Sequence, residues 1–282
     1  MPAHPVAQTI RRTISSERVV VSAAFETVKR ATLFLQTRPY YRQELFRSGF
    51  ERLGYQVAPN LLTDPKPGDV LVLWNRMRHE DAHARRYEDA GATVLIAENG
   101  YIGADQKGGK LLALARRHHN GAGEWRVGAP ERWTMPLKPW RTDGSFILVL
   151  PQRGIGAPGV AMPNGWAMAT LRMLRARTNR EVRLRAHPGG SEEEPYKALE
   201  GAWAAVTWGS GAAIKALYAG IPVFYDFPSW IGASAGVCLK KCADLERPFL
   251  GDRLPMFQRL SWAQWTSVEL QSGEAFAWLL DR

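Results

Sequence analysis

The chain has 282 residues, more than the roughly 100–200 residues of one domain, so its length favours two modest domains. The sequence is 45% hydrophobic and 23% charged, and it contains no apolar run of about 18 residues, which excludes a disordered chain and a transmembrane helix. The net charge of +10 favours an anionic partner: a nucleic acid, an acidic glycan or a phosphorylated donor. The alternative explanation of the positive charge is a GC-rich genome, in which arginine is simply frequent.

The N-terminal sequence and the cysteines favour a cytoplasmic protein. Residues 1–18 are polar and basic and lack the apolar segment of a signal peptide. Cys238 and Cys242 are the only cysteines, and this single pair fits neither a disulfide framework nor a zinc site. No D-x-D metal motif occurs in the sequence. We therefore expect no metal and no resident cofactor.

Strand and helix patterns alternate through the first hundred residues. We predict strands over 18–25, 54–57, 69–74 and 93–97, helices over 40–54 and 80–90, and a further short helix over 111–117. This order is typical of a Rossmann-like domain with a parallel sheet.

Polar side chains follow two of the predicted strands, at Trp74-Asn75-Arg76 and at Glu98-Asn99. Because the carboxyl ends of parallel strands share one edge, these side chains are expected to border a common crevice. The adjacent His118 and His119 lie in a polar loop and favour acceptor contact over metal binding. The candidate substrate-binding residues are Trp74, Asn75, Arg76, Asn99, His119 and Asn120.

The most informative stretch of the second half is a strand, a turn, a helix and a strand between residues 204 and 225. Ser210 is a candidate N-cap and Gly211 opens a helix that ends at Gly220, before Pro222. A capped helix N-terminus after a strand is suited to bind phosphate. The alternative is an ordinary turn whose small residues allow close packing.

Two further segments follow predicted strands of the second half. Arg153-Gly154 come after a strand over 146–150, and His187-Pro188 end a strand over 181–186. An arginine beside glycines can contact phosphate, although this loop lacks a complete G-x-G-x-x-G motif. The candidate donor-binding residues are Arg153, Gly154, His187, Pro188, Ser210, Gly211, Ala212 and Lys215.

Three short motifs together resemble those of GT-B glycosyltransferases, especially bacterial polysialyltransferases and capsule Kdo transferases. The motifs are His187-Pro188, the series Ser210, Ala216, Gly220 and Pro222, and Glu98-Asn99-Gly100. Asn99 replaces the second acid of that family's acidic pair, so Glu98 alone can supply the carboxylate. The resemblance covers roughly residues 70–225.

The resemblance implies an α/β GT-B fold in which two Rossmann-like domains face each other across a cleft. We expect an acceptor domain over 1–140, a nucleotide-sugar domain over 141–260, and a C-terminal helix over 261–282 that returns to the first domain. The resemblance also implies metal-independent transfer from a UDP- or CMP-linked sugar, with Glu98 and His187 as catalytic residues. A capping or salt-bridging role is the alternative for Glu98.

The basic charge and the compact size resemble phage enzymes that glycosylate hydroxylated or hydroxymethylated pyrimidines in DNA, and we predict DNA as the acceptor. The residues expected to form the DNA surface are Arg76, Arg78, Arg116, Arg117 and His119. One alternative is transfer to a surface or capsular polysaccharide. Another is a non-catalytic nucleic-acid-binding protein on the same scaffold.

Overall fold

The computed structural model describes residues 28–104, 109–185 and 195–281. The first half of the chain alternates strands and helices and then forms an antiparallel strand pair. Its elements are β1 (Arg30–Phe34), α1 (Gln43–Arg52), β2 (Gln56–Ala58), β3 (Val70–Trp74), α2 (Asp81–Asp89), β4 (Thr93–Ala104) and β5 (Lys110–Arg116). The strand expected over 18–25 lies outside the described residues.

The second half also alternates strands and helices. Its elements are β6 (Phe146–Leu150), α3 (Trp166–Arg175), β7 (Glu181–Leu184), α4 (Pro195–Ala198), β8 (Ala202–Thr207), α5 (Gly211–Tyr218), β9 (Val223–Tyr225) and β10 (Val237–Cys238). Every strand pair in this sheet is parallel, as the strand–helix alternation predicts.

The last part of the chain returns to the first sheet. Its elements are α6 (Leu254–Ser261), β11 (Gln264–Trp265), α7 (Ser267–Ser272) and α8 (Glu274–Leu280). Strand β11 pairs with β5, and the ring of Phe276 on α8 stacks on that of Phe50 on α1 with 4.2 Å between centroids. The contact is close at Gly49, where a Cβ would lie 2.1 Å from the Leu270 carbonyl oxygen. Bulky side chains are therefore excluded where α7 crosses α1.

The strand order gives each sheet a topological switch point at its carboxyl edge. The first sheet has the order β11-β5-β4-β3-β1-β2 and the second has the order β10-β9-β8-β6-β7. Strand β1 has β2 on one side and β3 on the other, and β6 likewise separates β7 from β8. Because successive connections leave such a strand in opposite directions, the loops diverge there and a ligand can enter.

The two sheets are joined by a continuous apolar interface. Tyr101, Ile102 and Ala113 belong to the first sheet, but they pack within the hydrophobic core of the second domain. The carboxyl end of β4 is therefore held directly against the second domain.

The helix predicted over 111–117 is wrong, because this segment is strand β5. Its leucines and alanines have high helix propensity, which favours a helix when the segment is considered alone. In the fold, β5 hydrogen-bonds to β4 along one edge and to β11 along the other. These pairings, together with burial of residues 112–115, override the local preference.

Candidate active site

The turn between β8 and α5 is built as an N-cap, as predicted. Ser210 Oγ accepts a hydrogen bond from the Ala212 N–H at 3.1 Å, and the Ser210 N–H donates to Thr207 Oγ1 at 2.8 Å. Among the described residues, the Gly211 N–H has no hydrogen-bond partner. The Gly211 N–H and the Ser210 hydroxyl proton are therefore the donors available to an anion at this helix start.

Glu98 lies just beyond the parallel part of the first sheet. The β3–β4 pairing ends at Trp74 and Ala97, and Glu98 is the next residue along β4. The predicted strand end at Ala97 is corrected, because β4 continues and pairs Glu98 with Ala113 of β5. Because β4 extends past its parallel neighbour β3, the Glu98 carboxylate lies on the side of the first sheet that faces the second domain.

The structure explains why position 100 of the Glu98-Asn99-Gly100 motif is a glycine. A Cβ at this position would lie 2.7 Å from the Leu111 carbonyl oxygen and 2.8 Å from the Leu111 Cβ. The register between β4 and β5 also shifts between Asn99 and Ala104. Glycine therefore allows the two backbones to approach closely where the strand changes register, next to Glu98.

The Glu98 carboxylate accepts two hydrogen bonds at the same oxygen. The Tyr101 hydroxyl donates to Oε1 at 2.5 Å, and the Asn120 backbone N–H donates to it at 3.3 Å. Within the described part of the chain, Oε2 accepts no hydrogen bond. Burial, together with the neighbouring carboxylate, raises the pKa of Tyr101 well above its usual value near 10. The phenol therefore remains protonated, as a donor, at physiological pH.

Asn120 connects this carboxylate to the Ser210 turn. Its Nδ2 donates to the Gly209 carbonyl oxygen at 2.7 Å, and its Oδ1 accepts from the Ile231 N–H at 2.9 Å. The Gln152 side chain also donates to the Gly209 oxygen, at 2.8 Å. The structure thus brings Glu98 and the Ser210 turn to opposite sides of one small hydrogen-bonded region.

His119 lies at the same junction. Its side chain is 7% exposed, and its Cε1 lies 3.2 Å from the position of a Cβ on Gly156, in the loop after β6. Nδ1 is buried and has no hydrogen-bond partner within the described part of the chain. His119 and Glu98 line a narrow crevice that leaves essentially no room for a water molecule between its walls. The two domains are therefore closely packed around this carboxylate.

The other donor-side candidates lie at the second sheet's carboxyl edge or on α5. Arg153 and Gly154 are exposed on the loop after β6. The Lys215 ammonium on α5 lies 5.6 Å from the centre of the Tyr196 ring. His187 and Pro188 lie outside the described residues, so the expected proximity of His187 to Ser210 stays a prediction.

Two of the first-sheet candidates lie beside Glu98 at the strand ends. The Asn75 N–H donates to the Ala97 carbonyl oxygen at 2.8 Å, and Asn75 adopts a left-handed φ of 58°. The Trp74 ring meets the Tyr41 ring edge-on, with 5.0 Å between centroids. Asn99 is exposed one residue beyond Glu98.

Arg76 does not face a substrate. Its side chain is 4% exposed, and its guanidinium donates to the carboxylates of Asp81 and Glu88 at 2.7 Å each. A further N–H group donates to the Arg117 carbonyl oxygen at 2.7 Å. The expectation that Arg76 contacts a ligand is therefore corrected, because its donors are used in an internal ion-pair network.

The residues expected to contact DNA do not form one exposed face. Arg76 and His119 are buried, and Arg116 is partly buried. Arg117 is 60% exposed and lies 3.5 Å from the Glu124 carboxylate, whereas Arg78 is exposed. The polar loop that carries the histidines is thus largely buried between the two domains.

Among residues 28–104, 109–185 and 195–281, no group of three or more His, Cys, Asp or Glu side chains is placed to hold a metal ion. In the same ranges, no helix is both long and apolar enough to cross a bilayer.

Sequence reasoning missed three residues that organise this site: Tyr101, Gln152 and Gln264. Gln264 on β11 accepts hydrogen bonds from the backbone N–H groups of Tyr101 and Ile102, at 3.0 and 3.2 Å. Only the position of Tyr101, directly after the Glu98-Asn99-Gly100 motif, offers a local signal. Gln152 and Gln264 contact residues that are far away in the sequence, so no local pattern indicates their role.

No protein-family model and no curated protein sequence matches the chain. Among solved structures, the chain is similar to Thermosulfurimonas dismutans KpsC, a beta Kdo 2,7 transferase, with a TM-score of 0.50 and 14% identity over 82% of this chain and 89% of that one. It also matches the beta Kdo 2,4 transferase of KpsC from that organism, with a TM-score of 0.47 and 12% identity over 82% and 89%. The likeness to the first structure shows the fold, and the predicted two-domain GT-B architecture is confirmed.

Proposed function

We propose that this chain is a metal-independent glycosyltransferase that moves a sugar from a nucleotide-activated donor to a hydroxyl group. The observation that carries the proposal is the link between Glu98 and the capped start of α5. The Glu98 carboxylate accepts from Tyr101, whose ring packs against Gly211, and from the Asn120 N–H, while the Asn120 side chain donates to Gly209. A base from one domain opposite an anion-binding helix start from the other is what glycosyl transfer requires. The GT-B fold, shared with a Kdo transferase, supports this reaction class.

The donor phosphate is proposed to bind at the crevice where β6 separates β7 from β8. The helix start contributes the Ser210 hydroxyl and the Gly211 N–H, and its dipole stabilises a nearby negative charge by about 0.3–1 kcal/mol. The exposed Arg153 can add a charge-assisted hydrogen bond from the neighbouring loop. His187-Pro188 and Lys215 complete the proposed donor site, with a UDP- or CMP-linked sugar as ligand.

In the proposed reaction, Glu98 accepts the proton of the acceptor hydroxyl. The acceptor oxygen forms a bond to the anomeric carbon while the bond from that carbon to the phosphate oxygen breaks. The phosphate leaves with the bonding electrons, and its charge is stabilised by the α5 start and by Arg153. General base catalysis of this kind contributes about 10²–10⁴-fold to the rate.

The proposed acceptor is a hydroxymethylpyrimidine in DNA, and the net charge of +10 supports a polyanionic acceptor. The target base would have to leave the duplex, because its hydroxyl is otherwise inaccessible to a carboxylate within a crevice. The alternative acceptor is a surface or capsular polysaccharide. The two acceptors predict different products, so one assay separates them.

The experiment is a transfer and hydrolysis assay with a panel of UDP- and CMP-sugars. The acceptors are DNA carrying 5-hydroxymethylpyrimidines and capsular oligosaccharides. We expect transfer to one acceptor class, with kcat reduced about 10²–10⁴-fold in Glu98→Gln and nucleotide affinity unchanged. Glu131→Gln, at an exposed position, is the matched control. Intact DNA binding without turnover of any donor would contradict the proposal and favour the non-catalytic scaffold.

A further inference from the structure

We propose that Tyr101 is a positioning residue for Glu98 and that it couples this carboxylate to the start of α5. The inference rests on the proposed function, since it gives Glu98 the role of the base. It adds a residue whose hydroxyl, ring and backbone are each held by a different part of the molecule.

The hydroxyl of Tyr101 fixes one oxygen of Glu98. Its hydrogen bond to Oε1 is 2.5 Å long, and the tyrosine side chain is only 6% exposed. The one other donor to this carboxylate among the described residues is the Asn120 N–H, at 3.3 Å. With Oε1 occupied, Oε2 is the oxygen left to accept a proton from an acceptor hydroxyl.

The ring of Tyr101 packs against the donor side of the site. Its Cδ1 lies 3.6 Å from the position of a Cβ on Gly211, the first residue of α5. Position 211 carries no side chain, so the ring approaches the backbone beside the free Gly211 N–H. One tyrosine therefore contacts both the proposed base and the proposed phosphate-binding helix start.

The backbone of Tyr101 is held by Gln264, which is 5% exposed on β11. Gln264 Oε1 accepts from the N–H groups of Tyr101 and Ile102, and its Nε2 donates to the Ile102 carbonyl oxygen at 2.7 Å. These bonds occupy backbone groups of β4 where its register with β5 shifts. Strand β11 thus fixes the backbone position from which the Tyr101 hydroxyl reaches Glu98.

Without the hydroxyl, Glu98 keeps, among the described residues, only the 3.3 Å hydrogen bond from the Asn120 N–H, and its carboxylate can rotate away from the position that receives the proton. A displacement of about 1 Å in a reacting group can lower a rate by about 10²-fold. The effect should fall on kcat, because Tyr101 is proposed to act on the base and not to hold the nucleotide.

The test is a double-mutant cycle with Tyr101→Phe, Glu98→Gln and the combined variant. We expect Tyr101→Phe to lower kcat about 10–100-fold with the donor KM within about twofold, and to cause no further loss in the Glu98→Gln background. Tyr87→Phe is the matched control. That tyrosine is fully buried and its hydroxyl lies 3.0 Å from Thr32 Oγ1, so the control should lower stability while kcat stays unchanged.

Losses that multiply in the double variant, or an unchanged kcat in Tyr101→Phe, would overturn this inference alone. A wild-type protein without turnover of any donor would overturn the proposed function, and the positioning role with it. If Tyr101→Phe does not fold, the Cζ NMR signal of labelled Tyr101 provides a second measurement. That signal should shift between wild type and Glu98→Gln, and an identical position in both would show that the contact is absent.

Discussion

The side-chain amide of Asn120 donates to the Gly209 carbonyl oxygen at 2.7 Å and so joins the first domain to the second. Its Oδ1 accepts from the Ile231 N–H at 2.9 Å and from the Gly121 N–H at 2.8 Å. Asn120 adopts a left-handed φ of 56°, a conformation that asparagine tolerates better than most non-glycine residues. Two of the three hydrogen bonds of its side chain reach the second domain and fix the domains beside Glu98.

Asn120→Ala should lower the free energy of unfolding by about 2–4 kcal/mol. The substitution leaves the buried Ile231 N–H unpaired and keeps the unfavourable φ, while Gln152 still donates to Gly209. Urea denaturation measures the change. Asn60→Ala, at an exposed position, should stay within about 0.5 kcal/mol of wild type. Equal stabilities of the two variants would show that Asn120 does not hold the domains.

Gly100→Ala should destabilise the protein by about 1–3 kcal/mol, because the new Cβ would lie 2.7 Å from the Leu111 carbonyl oxygen and force β4 and β5 apart. Gly211→Ala is the matched comparison for stability, since its Cβ would meet Tyr101 at an ordinary 3.6 Å. Thermal unfolding of both variants checks the difference. A Gly100→Ala protein as stable as Gly211→Ala would refute the close approach of the strands.

Arg76→Met should lower the free energy of unfolding by about 2–3 kcal/mol, because the carboxylates of Asp81 and Glu88 lose their shared partner in a partly buried site. Arg85→Ala removes an exposed partner of the same Asp81 and should cost less than about 1 kcal/mol. Urea denaturation measures both changes. The slope of DNA affinity against salt should be the same in Arg76→Met as in wild type, and a reduced slope would place Arg76 on the nucleic acid.

Tyr101 should make the protein less stable at high pH. Burial and the nearby Glu98 carboxylate raise the pKa of folded Tyr101 well above the value near 10 expected in the unfolded chain. The phenol thus contributes stability that is fully present below about pH 10 and is lost as the pH rises through the folded value. The stability of wild type relative to Tyr101→Phe should fall above pH 10, by at most about 1.4 kcal/mol per pH unit. A constant difference between pH 8 and pH 11 would contradict the burial of this hydroxyl.

Local patterns were sufficient to predict the parallel sheets and the Ser210 cap. The sequence from Ala204 to Tyr225 contains its own boundaries, with a buried strand, a capping serine, strong helix formers and a closing glycine and proline. Each signal depends on residues within a few positions, so the structure follows from the segment itself. For the same reason, the position of Glu98 at the edge of the parallel ladder could be predicted, although the continuation of β4 could not.

The remaining features depend on partners far apart in the chain. Residues 111–115 have helix propensity, and only pairing with β4 and β11 makes them a strand. Gln264 supports Tyr101 from 163 positions away, and no periodicity at either residue indicates the contact. Arg76 is a different case, because its two carboxylate partners on α2 are only 5 and 12 positions away and its charge alone suggested an exposed binding residue.

The return of the C-terminal segment to the first sheet has a consequence for synthesis on the ribosome. The β5 edge opposite β4 is covered by residues 263–265 along most of its length and by Glu124 at Arg116, and the side of α1 that packs against α7 and α8 stays uncovered until those helices are translated. The N-terminal half of the nascent chain therefore has an open strand edge and an uncovered apolar surface while the second domain is translated. Both are accessible to chaperones during that time. The first sheet and its apolar surface are therefore completed only after the C-terminal segment has left the exit tunnel.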